Sequence, residues 1–303
     1  MSWTIRRNLR RALRVLIRIL QRAENALGTP ELVAAEQHDL QRDAMTAHDM
    51  VAEPDEAYYR DRYLEWLLPE LEASGALRGR ILDAGCGPGR ILVPIAQRAS
   101  GHVDGVDYLA ESIAGAGARV EAEGLANVTL IESDLLEFLK GCEAQSYDAA
   151  VFLEVAFVLP HLDSVVAELA RVLKPGTVLL ASFRTRTYLV QAGVATRDFG
   201  LAERAVGGPT SGALDGMGWQ NFHDAAEAQG LLAAAGFEQA TFHGVGAASG
   251  IAGDPLAALA RPGELSGEEQ RRLALVEDEL ARRRPDGGRY VCVRAVRGPK
   301  AAL

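Results

Sequence analysis

Short apolar segments alternate with helical patterns from residue 80 onwards, and this alternation constrains the fold more than any other feature of the chain. Strands are predicted at residues 80–84, 102–107, 127–132, 147–153 and 176–183. Helices are predicted between them at about residues 89–99, 109–123 and 161–173. This pattern indicates βαβ units and a parallel sheet with helices on both faces. We therefore expect an α/β fold whose ligands bind beyond the carboxyl ends of the strands.

The segment ILDAGCGPGR at residues 81–90 carries a glycine-rich turn. The turn follows the first predicted strand and opens the first helix. Gly85, Gly87 and Gly89 leave out side chains at every second position, so that backbone N–H groups and a ligand can approach closely. A nicotinamide dinucleotide fold would show GxGxxG, with the pyrophosphate at the helix N-terminus. The GxGxG spacing found here, with Pro88 inside it, favours a ligand without a diphosphate.

Carboxylates follow the next two predicted strands. Asp107 ends the second strand, 18 residues after Gly89, where it can accept hydrogen bonds from both hydroxyls of a ribose. Asp134 follows the third strand, where it can accept a hydrogen bond from an adenine amino group. Asp134 can instead be a helix N-cap, with Glu137 completing a capping box.

Together these segments resemble the class I S-adenosylmethionine-dependent methyltransferases, in particular their broad small-molecule group. The resemblance covers about residues 55–297. The stretches that carry it are ILDAGCGPGR (81–90), VDGVD (103–107), ESDLLEF (132–138), YDAAVFLEV (147–155), ELARVLKPGTVLLAS (168–182), NFHDAAEAQGLLAAAGF (221–237) and RYVCVRAV (289–296). It implies a Rossmann-like, seven-stranded, mostly parallel sheet in the order 3-2-1-4-5-7-6, with the last strand antiparallel.

The resemblance also implies a cofactor site for S-adenosylmethionine. Asp83 and the backbone of the glycine turn hold the amino acid end, Asp107 binds the ribose, Asp134 binds the adenine, and Glu154 lies near the methionine moiety. The full set of expected cofactor residues is Asp83, Gly85, Cys86, Gly87, Gly89, Asp107, Asp134, Leu135, Glu154, Tyr58 and Tyr63.

Tyr58 and Tyr63 belong to a helical pattern that begins at Glu53. On periodicity alone these aromatic side chains are core residues of a helix. The resemblance adds the alternative that one of them closes over the methionine end of the cofactor.

A methyl transfer to a hydroxyl needs alignment of the reacting atoms and a base that takes the proton. Many members of the family carry a histidine shortly after the fourth strand, but Val158 occupies that position here. His161 and His223 are the candidate catalytic bases. The alternatives are that His161 is an exposed residue at a helix end, and that His223 contacts only structure or cofactor.

Charge is distributed unevenly along the chain. Residues 1–27 carry seven arginines and one glutamate, a charge of +6. Because the net charge of the chain is −9, the remaining residues carry −15. An acidic body is a poor general binder of nucleic acid. Three isolated cysteines support neither a disulfide framework nor a zinc site, and no carboxylate set for another metal stands out. A cytoplasmic setting fits best.

The arginine-rich segment predicts an amphipathic helix at residues 3–22, with apolar residues on one face and arginines on the other. Its apolar face can pack on the body of the protein or on a second subunit. It can also lie on an anionic membrane surface, which would make the protein peripheral at the inner face of the membrane.

Three parts are expected along the chain: the helix and a linker at 1–52, a methyltransferase domain at 53–297 and a tail at 298–303. The domain carries insertions at about 184–220 and 246–288. In the first, Arg184 and Arg186 can contact an anion within a lid or acceptor loop, or can be solvated on a flexible surface loop. In the second, a helix with alternating charges is expected to pack outside the sheet with a solvated face.

The sequence thus predicts a methyltransferase that uses S-adenosylmethionine and methylates an oxygen of a small molecule or of a glycan or lipid-linked precursor. An NAD(P)-dependent oxidoreductase is the closest enzymatic alternative. A cofactor-binding regulatory protein without turnover is the alternative from another class.

Overall fold

Nine strands are found in the computed structural model, which describes residues 50–214 and 218–299. They are β1 (Arg80–Ala84), β2 (His102–Asp107), β3 (Val128–Glu132), β4 (Tyr147–Phe152), β5 (Leu173–Arg184), β6 (Ser211–Leu214), β7 (Gly218–Asn221), β8 (Phe237–Val245) and β9 (Tyr290–Arg297). Seven of them form one sheet in the order β3-β2-β1-β4-β5-β9-β8. β9 runs antiparallel to both of its neighbours, and the other pairs are parallel. The predicted order is confirmed, with β8 and β9 as the sixth and seventh strands of the sheet.

Helices cover both faces of this sheet. They are α1 (Pro54–Ala73), α2 (Leu92–Arg98), α3 (Ala110–Ala122), α4 (Leu135–Gly141), α5 (Leu162–Val172), α6 (Arg186–Thr196), α7 (Phe199–Gly207), α8 (Ala225–Ala234) and α9 (Gly267–Arg283). Short 3₁₀ turns lie at Ala76–Arg78, Ala156–Val158, Pro255–Ala258, Pro262–Glu264 and Pro285–Gly287. None of the described helices is both long enough and apolar enough to cross a membrane.

The core is divided by the sheet into two apolar clusters. On one face, α4, α5 and α8 pack on residues such as Leu179, Ala181 and Phe183 of β5. On the other face, α1, α2 and α9 pack on the intervening residues, among them Leu180. This division follows from the period of two in a strand, which sends successive side chains to opposite faces. Central strands that are covered on both faces are buried along most of their length, as β1 and β4 are.

The described residues of the first insertion pack within the fold, and one ion pair joins them to α8. It forms the helix pair α6–α7 and the two-stranded hairpin β6–β7. Arg186 at the start of α6 pairs with Glu227 of α8 at 2.7 Å, and Arg184 is buried. The alternative of solvated arginines on this segment is therefore wrong, because both guanidinium groups are held by neighbours within the fold.

The second insertion contains the predicted helix, α9, which packs on β8 and on α1. The expectation of a solvated polar face is only partly correct, since Glu277 is buried. Its carboxylate accepts hydrogen bonds from Tyr58, Ser249 and the backbone of Ala248. These contacts attach the insertion to α1.

The predicted N-terminal helix at residues 3–22, the segment up to residue 49 and the last four residues lie outside the described residues. The domain boundaries at 52 and 297 therefore stay predictions.

Candidate functional site

Three carboxylates meet at one edge of the sheet because β1, β2 and β4 are parallel neighbours and end at the same side. Asp83 lies near the end of β1, Asp107 ends β2, and Glu154 follows β4. In open α/β sheets this is the edge at which ligands bind. The structure thus brings together the three acidic side chains that the sequence placed at strand ends.

The glycine turn follows β1 and lies against β2 and the loop after β4. Gly85, Gly87 and Gly89 have φ angles of +85°, +51° and +88°, in the left-handed region that favours glycine. A Cβ atom at Gly85 would overlap the side chain of Val155. Backbone conformation therefore requires glycine at these positions, and the loop after β4 also prevents a side chain at Gly85.

Hydrogen bonds of this turn differ from the sequence expectation. The N–H groups of Gly85 and Cys86 donate to the carbonyl oxygen of Val106, at 2.8 and 2.9 Å. The N–H of Gly87 donates to Oδ2 of Asp107 at 2.9 Å. These amides hold the turn against β2 and are not presented to a ligand. The carbonyl oxygens of Cys86, Gly87 and Pro88 also accept hydrogen bonds within the fold, so the turn contributes to a site mainly space.

Asp83 is the most unusual of the three carboxylates. Its side chain is buried, and Oδ2 has no hydrogen-bond partner among the described residues. Burial, assisted by the charge of Asp107 and opposed by that of Arg90, raises the pKa of Asp83 to about 7. A buried polar atom without a partner is rare and calls for a ligand or water. A cationic donor at this edge would satisfy it.

Asp107 accepts two backbone hydrogen bonds, from Gly87 to Oδ2 and from Leu109 to Oδ1, each at 2.9 Å. Burial raises the pKa of Asp107, and these amides counteract the rise. Each carboxylate oxygen has a second lone pair. Accepting ribose hydroxyls is therefore compatible with the structural role.

Glu154 is held in one position by a network of buried charges. Arg90 donates to its Oε1 at 2.6 Å and also pairs with Glu56 of α1. Tyr290 donates to Oε2 of Glu154 at 3.1 Å. The backbone N–H of Glu154 donates to Ser182 Oγ at 2.8 Å. Burial alone would raise the pKa of Glu154, but the charge of Arg90 lowers it to about 2. Glu154 is therefore an ionised group of fixed orientation and a weak base.

Tyr63 and Tyr58 are both buried in the core, as helical periodicity predicted, but they lie in different surroundings. Tyr63 packs under Arg90, with the guanidinium 5.9 Å from its ring centroid, and so borders the Glu154 network. Tyr58 donates to Glu277 of α9 at 2.9 Å. The geometry supports a site role for Tyr63 and a packing role for Tyr58.

Asp134 is exposed and caps α4, since its Oδ1 accepts from the N–H of Glu137 at 3.0 Å. No capping box forms, because the Glu137 side chain pairs with Lys140. Leu135 is buried as the first residue of the helix. The N-cap alternative is observed, and it leaves Oδ2 able to accept from a ligand.

His161 lies at the N-cap position of α5, where it is exposed and makes no side-chain cap hydrogen bond. This is the arrangement of the exposed helix-end alternative. Nothing in it places the imidazole next to Glu154.

His223 is buried, and its ring packs edge-on against Phe183 at 5.6 Å. Burial lowers its pKa, and the charges that act on it belong to Glu227, Arg186 and Asp163. Phe183 faces the α4–α5–α8 side of the sheet. The ring of His223 therefore packs on the face of the sheet that α4, α5 and α8 cover, and not against the three carboxylates.

Several residues of the site were not singled out from sequence. Arg90 and Tyr290 hold Glu154, and Asn221 donates to the carbonyl oxygens of Ala156 and Leu159, which fixes the loop after β4. Arg90 directly follows the glycine turn, and that position was the only signal. Tyr290 and Asn221 act across more than 60 residues of chain, so no local pattern indicates them.

Comparisons with known proteins identify the family that this chain resembles. The methyltransferase domain family matches residues 81–176. Over 119 residues the chain is 32% identical to a ubiquinone biosynthesis O-methyltransferase of Actinobacillus pleuropneumoniae, which covers 38% of this chain and 50% of that protein. Over 105 residues it is 33% identical to a sterol 24-C-methyltransferase of Gibberella zeae, which covers 33% of this chain and 26% of that protein. The chain thus spans a quarter to a half of these relatives.

Among solved structures, the magnesium protoporphyrin IX methyltransferase of Synechocystis with bound S-adenosylhomocysteine has the same fold. The TM-score is 0.52 at 17% identity, and the alignment covers 86% of this chain and 94% of that one. At this identity the likeness concerns the fold alone.

Proposed function

Because the chain belongs to the class I S-adenosylmethionine-dependent methyltransferases, we propose that it transfers the methyl group of this cofactor to an oxygen atom of a small molecule or of a glycan or lipid-linked precursor. The observation that carries the proposal is the acidic edge formed by Asp83, Asp107 and Glu154 beside the glycine turn. S-adenosylmethionine carries a sulfonium and an ammonium group, which such an edge complements.

Along this edge, different residues would hold different parts of the cofactor. Asp83 and the Gly85 carbonyl oxygen accept from the ammonium group, because the N–H of Gly85 already bonds to β2. Asp107 accepts from the ribose hydroxyls. Asp134 accepts from the adenine amino group. The ionised Glu154 would hold the methionine end of the cofactor, where its negative charge would stabilise a bound cation.

Methyl transfer by in-line attack makes modest demands on a protein. The acceptor and the sulfonium carbon must be held in line, which contributes several kcal/mol of the barrier reduction. An oxygen acceptor is supported by the O-methyltransferase relative, and the sterol 24-C-methyltransferase relative keeps carbon as the second acceptor atom.

Two measurements test the proposal. Calorimetry should show binding of S-adenosylmethionine and none of NAD, because the GxGxG turn has no place for a diphosphate. Incubation with a library of phenols, sugars and lipid-linked alcohols should release S-adenosylhomocysteine with a methylated product. Preferential binding of NAD would support an oxidoreductase, and cofactor binding without any product would support a regulatory protein.

Cofactor affinity should depend on pH through Asp83. Its pKa is about 7 in the free protein, and a bound ammonium group favours the ionised carboxylate. Proton loss therefore accompanies binding below pH 7, so affinity rises by up to about tenfold per pH unit on going from pH 5 to pH 7 and then levels off. Titration with S-adenosylhomocysteine at several pH values measures this slope. In the Asp83→Asn variant the slope should vanish, and an unchanged slope there would assign the proton to another group.

His223 is tested by the same transfer assay. A catalytic base at this position would make the His223→Ala variant at least about 100-fold slower with unchanged cofactor affinity. Its neighbours Phe183, Glu227 and Asp163 favour a structural role, so we expect a loss of turnover below about tenfold. A thermal melt of the variant reports the packing contribution separately.

A further inference from the structure

Arg184, the last residue of β5, is a buried guanidinium whose hydrogen bonds all go to neutral groups. Only 7% of the residue is exposed. It donates from Nη2 to the hydroxyl of Tyr290 at 2.9 Å and from Nη1 to Oε1 of Gln220 at 3.2 Å. Its Cζ stacks 3.7 Å from the ring centroid of Phe157. Its Nε is buried and has no hydrogen-bond partner among residues 50–214 and 218–299.

Other buried arginines of this region each face a carboxylate. Arg90 pairs with Glu56 and Glu154, and Arg289 lies 3.3 Å from Asp254. In the described part of the chain no carboxylate forms an ion pair with Arg184. A buried charge without a partner of opposite sign is costly, which makes Arg184 the group that gains most from an anionic ligand.

A second guanidinium adds to the positive charge at this place. Arg184 lies 5.1 Å from the ring centroid of Tyr188 and 5.5 Å from that of Tyr290. Arg289 lies 5.6 and 5.5 Å from the same two centroids. Its Nε also has no hydrogen-bond partner among the described residues. Two guanidinium groups thus flank the same two rings, and Asp254 pairs with that of Arg289 only. An anion beside Arg184 would compensate the other charge.

This positive cluster adjoins the proposed cofactor edge through one hydroxyl group. Tyr290 accepts from Arg184 and donates to Glu154 at 3.1 Å. The two residues face each other because Arg184 and Tyr290 are cross-strand partners in β5 and β9. The hydroxyl of Tyr290 therefore joins the uncompensated guanidinium of Arg184 to the carboxylate of Glu154 at the proposed cofactor edge.

We propose that Arg184 binds an anionic oxygen group of the methyl acceptor, a carboxylate or a phosphate, and that the acceptor is therefore an acid. This inference rests on the proposed methyl transfer, since it assigns the substrate class of the same site. A planar guanidinium presents its Nε–H and Nη–H groups side by side, which matches two oxygens of a carboxylate or phosphate. The carboxylate of the cofactor is the other source of this chemistry, and the experiment separates the two.

The experiment measures anion binding to the protein saturated with S-adenosylhomocysteine. Benzoate, its neutral counterpart benzamide and inorganic phosphate are titrated by calorimetry or by NMR. The variants are Arg184→Met, which removes the charge at similar volume, and Arg184→Lys, which retains it. Arg283→Met is the matched control, because Arg283 is exposed on α9.

We expect wild type and the Arg283→Met variant to bind benzoate or phosphate at least tenfold more tightly than benzamide. The Arg184→Met variant should lose at least tenfold of this affinity, and Arg184→Lys should recover part of it. Equal affinity for benzoate, phosphate and benzamide in the wild type would overturn the proposal, and this comparison holds even where a variant fails to fold. So would unchanged anion affinity in a folded Arg184→Met variant.

A second arm decides between acceptor and cofactor. S-adenosylhomocysteine and methylthioadenosine, which lacks the amino acid carboxylate, are titrated into wild type and Arg184→Met. Affinities that change less than about twofold support the acceptor assignment. A tenfold loss for S-adenosylhomocysteine alone would overturn it, because Arg184 would then hold the cofactor. A protein that binds these anions and the cofactor but methylates no acceptor would refute the proposed function while leaving the anion site established.

Discussion

The Asp107→Ala variant is expected to bind S-adenosylhomocysteine at least about 100-fold more weakly than the wild type. Asp107 accepts hydrogen bonds from the N–H groups of Gly87 and Leu109, so its removal takes away one of the contacts that hold the glycine turn against β2. The proposed ribose contacts are lost with it. Two charge-assisted hydrogen bonds at about 1.5 kcal/mol each correspond to a factor of about 100 in affinity. Isothermal titration measures the dissociation constant.

Asp61→Ala serves as the control, because that carboxylate is exposed on α1. It should leave the affinity unchanged. Asp107→Asn retains one acceptor oxygen and should lie between the two. A wild-type affinity in a folded Asp107→Ala variant would show that the edge formed by β1 and β2 is not where the nucleoside binds.

The Arg90→Met variant is expected to be less stable than the wild type by about 3–5 kcal/mol at neutral pH, the cost of leaving a buried ion pair without one partner. Arg90 is nearly inaccessible and serves two carboxylates, Glu56 and Glu154. Methionine replaces its volume without its charge. Chemical denaturation at pH 7.5 measures the free energy of unfolding, with Arg283→Met as the exposed control.

The loss should shrink in acid. In the wild type, Arg90 lowers the pKa of Glu154 to about 2, below the ordinary 4.5, so that the stabilisation is present above 4.5 and disappears as the pH falls towards 2. In the variant, burial without Arg90 raises the pKa of Glu154, and protonation removes its buried charge. Adding Glu56→Gln to Arg90→Met should recover part of the stability. A destabilisation below about 1 kcal/mol at pH 7.5 would mean that the network is solvated or relaxes freely.

Much of the cofactor edge could be predicted from sequence because its parts are local. Asp83, the glycine turn and Asp107 each lie at or next to the end of a strand that the apolar pattern predicts. Parallel neighbouring strands bring these ends to the same edge of the sheet. The same reasoning found Asp134 but could not separate an N-cap from a ligand contact. Both involve a carboxylate at a helix start.

The direction of individual side chains was beyond reach of the sequence. His223 stands in a loop that reaches the site region, but its ring turns to Phe183 on the far face of β5. Arg184, one residue further along β5, points to the opposite face, where it meets Tyr290. Successive side chains of a strand point to opposite faces of the sheet. An error of one position in the register of β5 would therefore exchange the surroundings of Phe183 and Arg184.

By itself, then, the sequence determined the strand–helix alternation, the turn that excludes side chains and the carboxylates at the strand ends, because each is set by residues close together in the chain. Only the tertiary structure decided which charges are compensated. Arg90 meets Glu154 across 64 residues, and Arg184 meets Tyr290 across 106. Such pairs depend on which strands the sheet brings side by side, β1 with β4 and β5 with β9, and no local pattern of residues determines that order. The cost of a buried charge without a partner is therefore a property of the tertiary structure.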